Sequence, residues 1–543
     1  MEKKFNNKYL PGILICTLVV GVIAGIVIGS YGVPHRYRLH GSNKVDELMG
    51  LIATNYVDTV DYDKLIEEVM PKVLSELDPH SVYIPASDLE ATNSDLKGSF
   101  SGIGVQFTIQ DDTVHINNVI HGGPSEKVGL AAGDRIVTVD DSLFVGKKVN
   151  NAEAMRKLKG PKGSEVKLGI LRRGSKKLLS YTVVRGDIPV KSIDASYLVN
   201  NKYGYLKVNK FGETTYEEMM VAIARFKKAN FKGLIIDLRG NLGGYMGAAL
   251  QMANEFLQRG DMIIYTQGVH SRRMEEYADN TGVCHDVPLI VLIDETSASA
   301  SEIFAGTIQD NDRGTIIGRR SFGKGLVQQP FEFKDGSAVR LTIARYYTPS
   351  GRCIQKPYSH GDDMDYEMDI ISRYERGEFF SQDSIKQKGE VYKTKLGRPV
   401  YGGGGIMPDI FIPSDTTGFT SYYKLATAAN ILVPFCNKFT DDHRQDMAKF
   451  SKYEEVAAYL KTQPLLEQYV NYADSKGVKR RNIQIEKSQA ILLRVLYANI
   501  IYNILNIEEQ LKYLNKDDNN VLKAVEILDK GRSFPKAPAE SKK

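Results

Sequence analysis

Three serines stand within five positions, Ser297, Ser299 and Ser301, in the run Thr296-Ser297-Ala298-Ser299-Ala300-Ser301-Glu302. The apolar residues 289–293 before it predict a buried strand, and the small residues over 299–310 predict a helix. A sharp strand-to-helix turn can expose a hydroxyl and aim helix-terminal N–H groups at developing negative charge, the geometry of acyl transfer by a serine. The same serines also suit a plain helix cap, so the local sequence leaves both roles open.

A serine nucleophile needs a base. None of the nine histidines lies in a partner motif, and His270 and His285 read as surface residues of a polar insertion. Lys324, in Ser321-Phe322-Gly323-Lys324-Gly325, is better placed, because Phe322, Leu326 and Val327 predict apolar surroundings that favour a neutral amine. Gln328, four residues on, can orient the amine or the hydroxyl through its side-chain amide. A glycine cluster, Arg239-Gly240-Asn241-Leu242-Gly243-Gly244, follows a predicted strand over 234–238. Bare amides there can approach a substrate carbonyl, and one of them could join the Ala300 N–H in an oxyanion hole; packing alone is the other account of these glycines. Residues 318–324 nearly spell a phosphate-binding loop, but Gly325 stands where magnesium binding requires Ser or Thr, which argues against nucleotide hydrolysis.

The elements that must hold these residues are read from length and pattern. The chain has 543 residues, enough for three or four domains. It is 42% hydrophobic and 25% charged with a formal net charge of +5, which excludes global disorder and a multi-pass membrane protein and gives no reason to expect nucleic acid. Cys16, Cys284, Cys353 and Cys436 are far apart, without metal or redox spacing; one disulfide plus a free thiol is open, with no pair assigned. Helical periodicity runs through 45–77 and stops at Asp78-Pro79-His80. Between 98 and 186 short strands with two brief helices predict a small, partly open barrel. Ser101-Gly102-Ile103-Gly104 before the strand at 104–109 would set backbone N–H groups at a strand mouth suited to a peptide carboxylate, or form a simple hairpin entry. Strand, helix, strand repeats after 188 predict a β/α core, 350–399 a solvated acidic insertion, and the region beyond 414 a packed helical tail.

With these motifs in place, the chain resembles the carboxyl-terminal processing peptidases, or tail-specific proteases. The match rests on Asp78-Pro79-His80-Ser81, on residues 101–105 and 122–134 in what looks like a PDZ domain, on Asp237-Leu238-Arg239-Gly240-Asn241-Leu242-Gly243-Gly244, and on residues 297–302 with 322–329. The resemblance implies a multidomain α+β protein with a ClpP/crotonase-like β/α peptidase core, an inserted PDZ domain, an N-terminal helical region and a C-terminal helical extension. The helical region is expected over 31–97, the PDZ domain over 98–186, the peptidase core over 187–414 and the helical extension over 415–543, after a short basic cytoplasmic segment 1–8 and an apolar segment 9–30. It implies Ser299 as nucleophile, Lys324 as base and Gln328 as support, with Gly243 or Gly244 and Ala300 as oxyanion donors. Gly102, Ile103, Gly104 and Val105 would receive the substrate carboxylate. Such a serine endopeptidase requires no metal, nucleotide or organic cofactor; its partners would be proteins with accessible C-terminal tails, and a homo-oligomer or adaptor is compatible. The alternative is an inactive PDZ scaffold or peptide-binding chaperone, against which the intact Ser299, Lys324 and Gln328 argue. Gly240 stands where an asparagine is frequent in the family.

One local run changes the expected location. Residues 9–30 carry no charge and follow Lys3, Lys4 and Lys8, which predicts a single membrane span, retained or cleaved, with the rest of the chain on the periplasmic side of a bacterial inner membrane.

Overall fold

The computed structural model describes residues 44–94, 98–110, 112–146, 149–175, 177–359, 361, 363–385 and 389–536. The chain divides into two compact units, Met1–Met70 and Pro71–Lys543. In the first, the helix Lys44–Asn55 carries acidic Asp46 and Glu47 in its opening turn, the favourable end of the helix dipole. The predicted membrane anchor is corrected here. No helix among the described residues is long and apolar enough to cross a membrane. The run 9–30 lies outside them, so neither a membrane partner nor an inner-membrane location has a structural basis.

The second unit holds every candidate site residue. Its insert is an antiparallel sheet in the order Val105–Gln110, Thr113–Val119, Arg135–Val139, Glu165–Leu171, Leu179–Val184, with the helices Pro124–Lys127 and Asn151–Leu158. Alternation builds it: Val166, Leu168 and Ile170 are buried while Glu165 and Lys167 point outward. Val105–Gln110 lies at the sheet margin. Entry and exit of the insert are tied together by the antiparallel pair Ser99–Gly102 and Gly186–Pro189.

The main body is a six-stranded sheet in the order Ile193–Val199, Tyr203–Val208, Leu234–Asp237, Leu289–Ile293, Thr315–Gly318, Ile410–Phe411; the first pair is antiparallel and the others parallel. The parallel strands Leu234–Asp237, Leu289–Ile293 and Thr315–Gly318 are buried at every position and mostly apolar because both of their faces are covered. Leu234, Ile236, Val291 and Ile316 pack with the helices Thr215–Lys228, Met246–Asn254 and Ala300–Asp310. Ile235, Ile290, Leu292 and Ile317 pack on Val521, Ala524, Ile527 and Leu528 of the helix Asn519–Asp529. The end of the predicted tail thus supplies one face of the core. The remaining tail helices, from Ser421–Ala428 to Asn482–Ile504, enclose a hydrophobic core of their own.

A second, antiparallel sheet contains the hairpin Leu326–Glu332 and Ala338–Tyr347, the strands Met262–Gln267 and Met274–Tyr277, and Val82–Ile84. Val82 pairs with Arg340, so the residues before it are delivered from the N-terminal side of the chain to the hairpin. The ClpP/crotonase-like core expected above is corrected accordingly. The strands build an α+β protein with a mixed sheet led by an antiparallel pair, a separate antiparallel sheet whose hairpin follows the Lys324 loop, a PDZ-like insert and a helical tail.

Candidate active site

The fully buried strand Leu289–Ile293 ends at Asp294, whose carboxylate accepts the N–H groups of Thr296 and Ser297 and so closes a tight turn. The three serines then diverge. Ser297 Oγ donates to Leu238 O at 2.8 Å, and Ser301 Oγ donates to Asn241 O at 3.0 Å; both side chains are inaccessible and bind the glycine-rich strand end. Ser299 is half-buried and caps the helix Ala300–Asp310 with φ +54° and ψ −115°. A non-glycine residue held there stores about 1–3 kcal/mol of strain, a feature that clusters at catalytic turns.

Lys324 enters from the loop before the hairpin. Its Nζ donates to Gln328 Oε1 at 3.0 Å. Gln328 can face Lys324 because the hairpin register shifts between Val327 and Gln328, and a bulge re-aims a side chain. Burial holds the Lys324 amine below its usual range, with help from Arg340; Asp78 and Glu302 pull the other way. The near-phosphate loop at 318–324 runs into a strand, not a helix, and so lacks the helix N-terminus that cradles phosphate.

Two residues to which the sequence assigned no role hold the serine and lysine loops together. Glu302 Oε2 accepts the N–H groups of both Ser299 and Lys324, at 2.9 and 2.8 Å, while Oε1 accepts Ser321 Oγ–H and the Gly323 N–H. Burial pushes this carboxyl up to about 7 against those four donors. The Tyr346 hydroxyl lies 2.6 Å from Lys324 O and 3.2 Å from Ser299 O. The spacing Ser299-x-x-Glu302 is a capping-box signature and could have exposed the role of Glu302. Tyr346 leaves no comparable mark, since only strand pairing brings it there.

Of the predicted oxyanion donors, Gly243 gives its N–H to Asn241 Oδ1 at 2.8 Å. Its φ is +104°, and a Cβ there would lie 2.7 Å from Ser299 Cβ, so glycine is required for the close approach. Phe211 bonds Gly243 O and Tyr245 N–H, which turns the Gly244 N–H the other way. Neither that N–H nor the Ala300 N–H at the helix start has an acceptor among the described residues.

Asp78-Pro79-His80-Ser81 is part of the site. Gln328 Nε2 donates to His80 O, and Asp78 Oδ1 accepts the N–H groups of His80 and Ser81. The His80 ring lies 2.8 Å from the Tyr366 hydroxyl; burial, with Lys324 nearby, pushes its pKa down to about 4. Tyr366 comes from the insertion, which is not simply solvated. Gln355, Lys356 and Tyr366 are buried, and Gln355 Oε1 accepts the Gly325 N–H at 2.7 Å.

At the insert, Gly104 has φ +78°, and the N–H groups of Ile103 and Gly104 find no acceptor among the described residues. Gly102 pairs with Gly186, and Val105 begins the marginal strand. Cys284, Cys353 and Cys436 are all free thiols, and among the described residues no three His, Cys, Asp or Glu side chains gather as a metal site.

Family comparisons fit this architecture. Residues 202–368 match the model of peptidase family S41, residues 101–183 a PDZ domain, and residues 422–506 a family of unknown function. A carboxy-terminal-processing protease of Bartonella bacilliformis is 38% identical over 309 residues, covering 56% of this chain and 70% of that protein. Carboxy-terminal processing protease CtpA of Bacillus subtilis is 31% identical over 389 residues, covering 69% of this chain and 82% of that protein. Among solved structures, a photosystem II D1 C-terminal processing protease aligns at 25% identity and a TM-score of 0.35, covering 68% of this chain and 92% of the other. With the family model lying over the serine and lysine loops and relatives matched across most of their length, the chain belongs to peptidase family S41, the carboxy-terminal-processing serine endopeptidases that act through a Ser/Lys dyad.

Proposed function

We propose that Ser299 is the nucleophile, Lys324 its general base and Gln328 the group that orients the base. Neutral Lys324 takes the proton of Ser299 Oγ as Oγ attacks the scissile carbonyl carbon, and the carbonyl electron pair moves onto oxygen. Collapse of that intermediate expels the amine, to which Lys324 returns the proton. Water, giving a proton to Lys324, then attacks the acyl carbon, and as the Ser299 Oγ–acyl bond breaks Lys324 returns that proton to Oγ and the new carboxyl terminus leaves. The N–H groups of Ala300 and Gly244 are the proposed oxyanion donors, with Gly243 providing clearance beside Ser299.

The substrates are polypeptides with an accessible C-terminal tail. The loop carrying Gly102, Ile103, Gly104 and Val105 receives the terminal carboxylate, and the marginal strand Val105–Gln110 pairs with the substrate backbone. The observation that carries the reading is the double staple: Glu302 and Tyr346 each contact the main chain of both Ser299 and Lys324. Cleavage of a C-terminal peptide by the wild type, Ser299→Ala and Lys324→Ala tests it. Loss in both variants is expected, and equal turnover in all three would sink it.

A further inference from the structure

A lysine amine can act as a base only if its lone pair is free, and Gln328 can either protect that lone pair or consume it. Presented through Oε1, the amide accepts an N–H from Nζ and leaves the lone pair for the serine; presented through Nε2, it would donate to the lone pair and quench the base. Rotation of the amide by half a turn separates the two states. The His80 carbonyl decides between them, since it can only accept. With Gln328 Nε2 donating to His80 O, Oε1 must face Lys324.

The turn that presents this carbonyl is itself clamped. Asp78 Oδ1 accepts the N–H groups of His80 and Ser81 at 2.9 and 3.0 Å, and Oδ2 accepts Ser81 Oγ–H at 2.6 Å. Thr342 Oγ1 donates to Asp78 Oδ1 at 3.0 Å, and the Thr342 N–H donates to Ser81 Oγ at 3.1 Å. Thr342 is the residue directly across the hairpin from Gln328. One carboxylate, nearly inaccessible to solvent, therefore fixes both the carbonyl that Gln328 binds and the strand position opposite Gln328. We infer that Asp78, Ser81 and the His80 carbonyl are positioning groups for the catalytic base, locking the Gln328 amide in the orientation that leaves the Lys324 lone pair available.

The inference rests on Lys324 being the base. It adds an electrostatic consequence, because the titratable groups around Lys324 are Asp78 and the adjacent, neutral His80 ring on the turn, Arg340 on the hairpin and Glu302 on the nucleophile helix. Asp78 favours the protonated amine, so its removal lets the amine lose its proton at lower pH.

The test measures kcat, KM and their pH profiles on a C-terminal peptide for full-length wild type, Asp78→Asn, Ser81→Ala and Lys324→Ala, with the folded fraction fixed by circular dichroism. For Asp78→Asn, kcat falls about 10- to 100-fold at unchanged KM, the size of loss expected from a slightly misplaced base, and the acid limb moves to lower pH. Ser81→Ala shows a smaller fall in kcat with the acid limb in place, since no charge is lost. A purely structural role would scale activity with the folded fraction and leave the acid limb where it was. Wild-type kcat in Ser81→Ala, or an unmoved acid limb in Asp78→Asn, overturns the inference while an inactive Lys324→Ala leaves the dyad standing. If Asp78→Asn does not fold, Ser81→Ala decides alone. Retained turnover in Lys324→Ala overturns the reading beneath it.

Discussion

Two lysines lie beside the same loop and are held in opposite ways. Lys324 is half-buried, with its Nζ on the neutral amide of Gln328. Lys356, whose backbone N–H bonds Gly323 O, is nearly inaccessible, yet its Nζ lies 3.2 Å from Asp369 and 2.9 Å from Tyr366 O, between the faces of Phe322 and Tyr366 at 4.0 and 3.9 Å. Burial lowers the pKa of both, and carboxylates act on both from a distance, but of the two Lys356 has a carboxylate bonded directly to its Nζ, with two aromatic faces, to retain its proton. The comparison teaches that burial alone does not make a base. The partner must be polar enough to orient the amine and neutral enough to let the proton go.

The largest expected effect separates the two directly. Lys324→Ala lowers kcat about 10²- to 10⁴-fold, the usual range for losing a general base, whereas Lys356→Ala keeps the chemical step once normalised to folded protein; peptide turnover checks both. Gln328→Glu then gives Lys324 the carboxylate it lacks. The acid limb of kcat/KM moves up by roughly 1–2 pH units, so activity lost at neutral pH returns in alkaline buffer. A pH-rate profile reads this, and an unshifted limb would break the contrast between the lysines.

Glu302 sets a third, smaller test because it stands near both lysines. Its folded-state pKa of about 7 exceeds the ordinary glutamate value of 4.5, so the folded protein binds more protons between those values. Its share of stability is full below about 4.5 and declines as pH rises through 7, with a slope no steeper than about 1.4 kcal/mol per pH unit for one proton. Chemical denaturation at several pH values should show that slope in the wild type and its loss in Glu302→Gln. The smallest effect is expected for Asp369→Asn. The pair with Lys356 is partly open to solvent on the Asp369 side, so stability falls by about 1 kcal/mol or less and kcat holds.

Much of the layout was legible because its periods are local. The inward alternation of Val166, Leu168 and Ile170 and the apolar runs at 234–236 and 289–293 identify their strands without knowledge of their neighbours. The reading failed where a residue's role depends on a distant segment. Residues 350–399 look like a solvated insertion because their charges are dense, yet Gln355 binds the Gly325 N–H next to Lys324 and Tyr366 meets the His80 ring. The tail looks like a separate helical domain, yet its last helix fills one face of the core sheet. Cysteine pairing was open on sequence and is resolved as three free thiols.

The sequence by itself determined the chemical vocabulary: a serine at a strand-to-helix turn, a lysine in apolar surroundings, a glutamine four residues on and glycines at a strand end. Spacing of that kind is set by one turn or one strand and is written into a few consecutive residues. Only the tertiary structure decided which serine is presented, because Ser297 and Ser301 are distinguished from Ser299 by hydrogen bonds to Leu238 and Asn241, roughly sixty residues away. It also decided what surrounds Lys324, bringing Asp78 and His80 to Gln328 across some 250 residues through the pairing of Val82 with Arg340. Hydrogen bonds and desolvation act over a few ångströms of space, and distance along the chain carries no information about them.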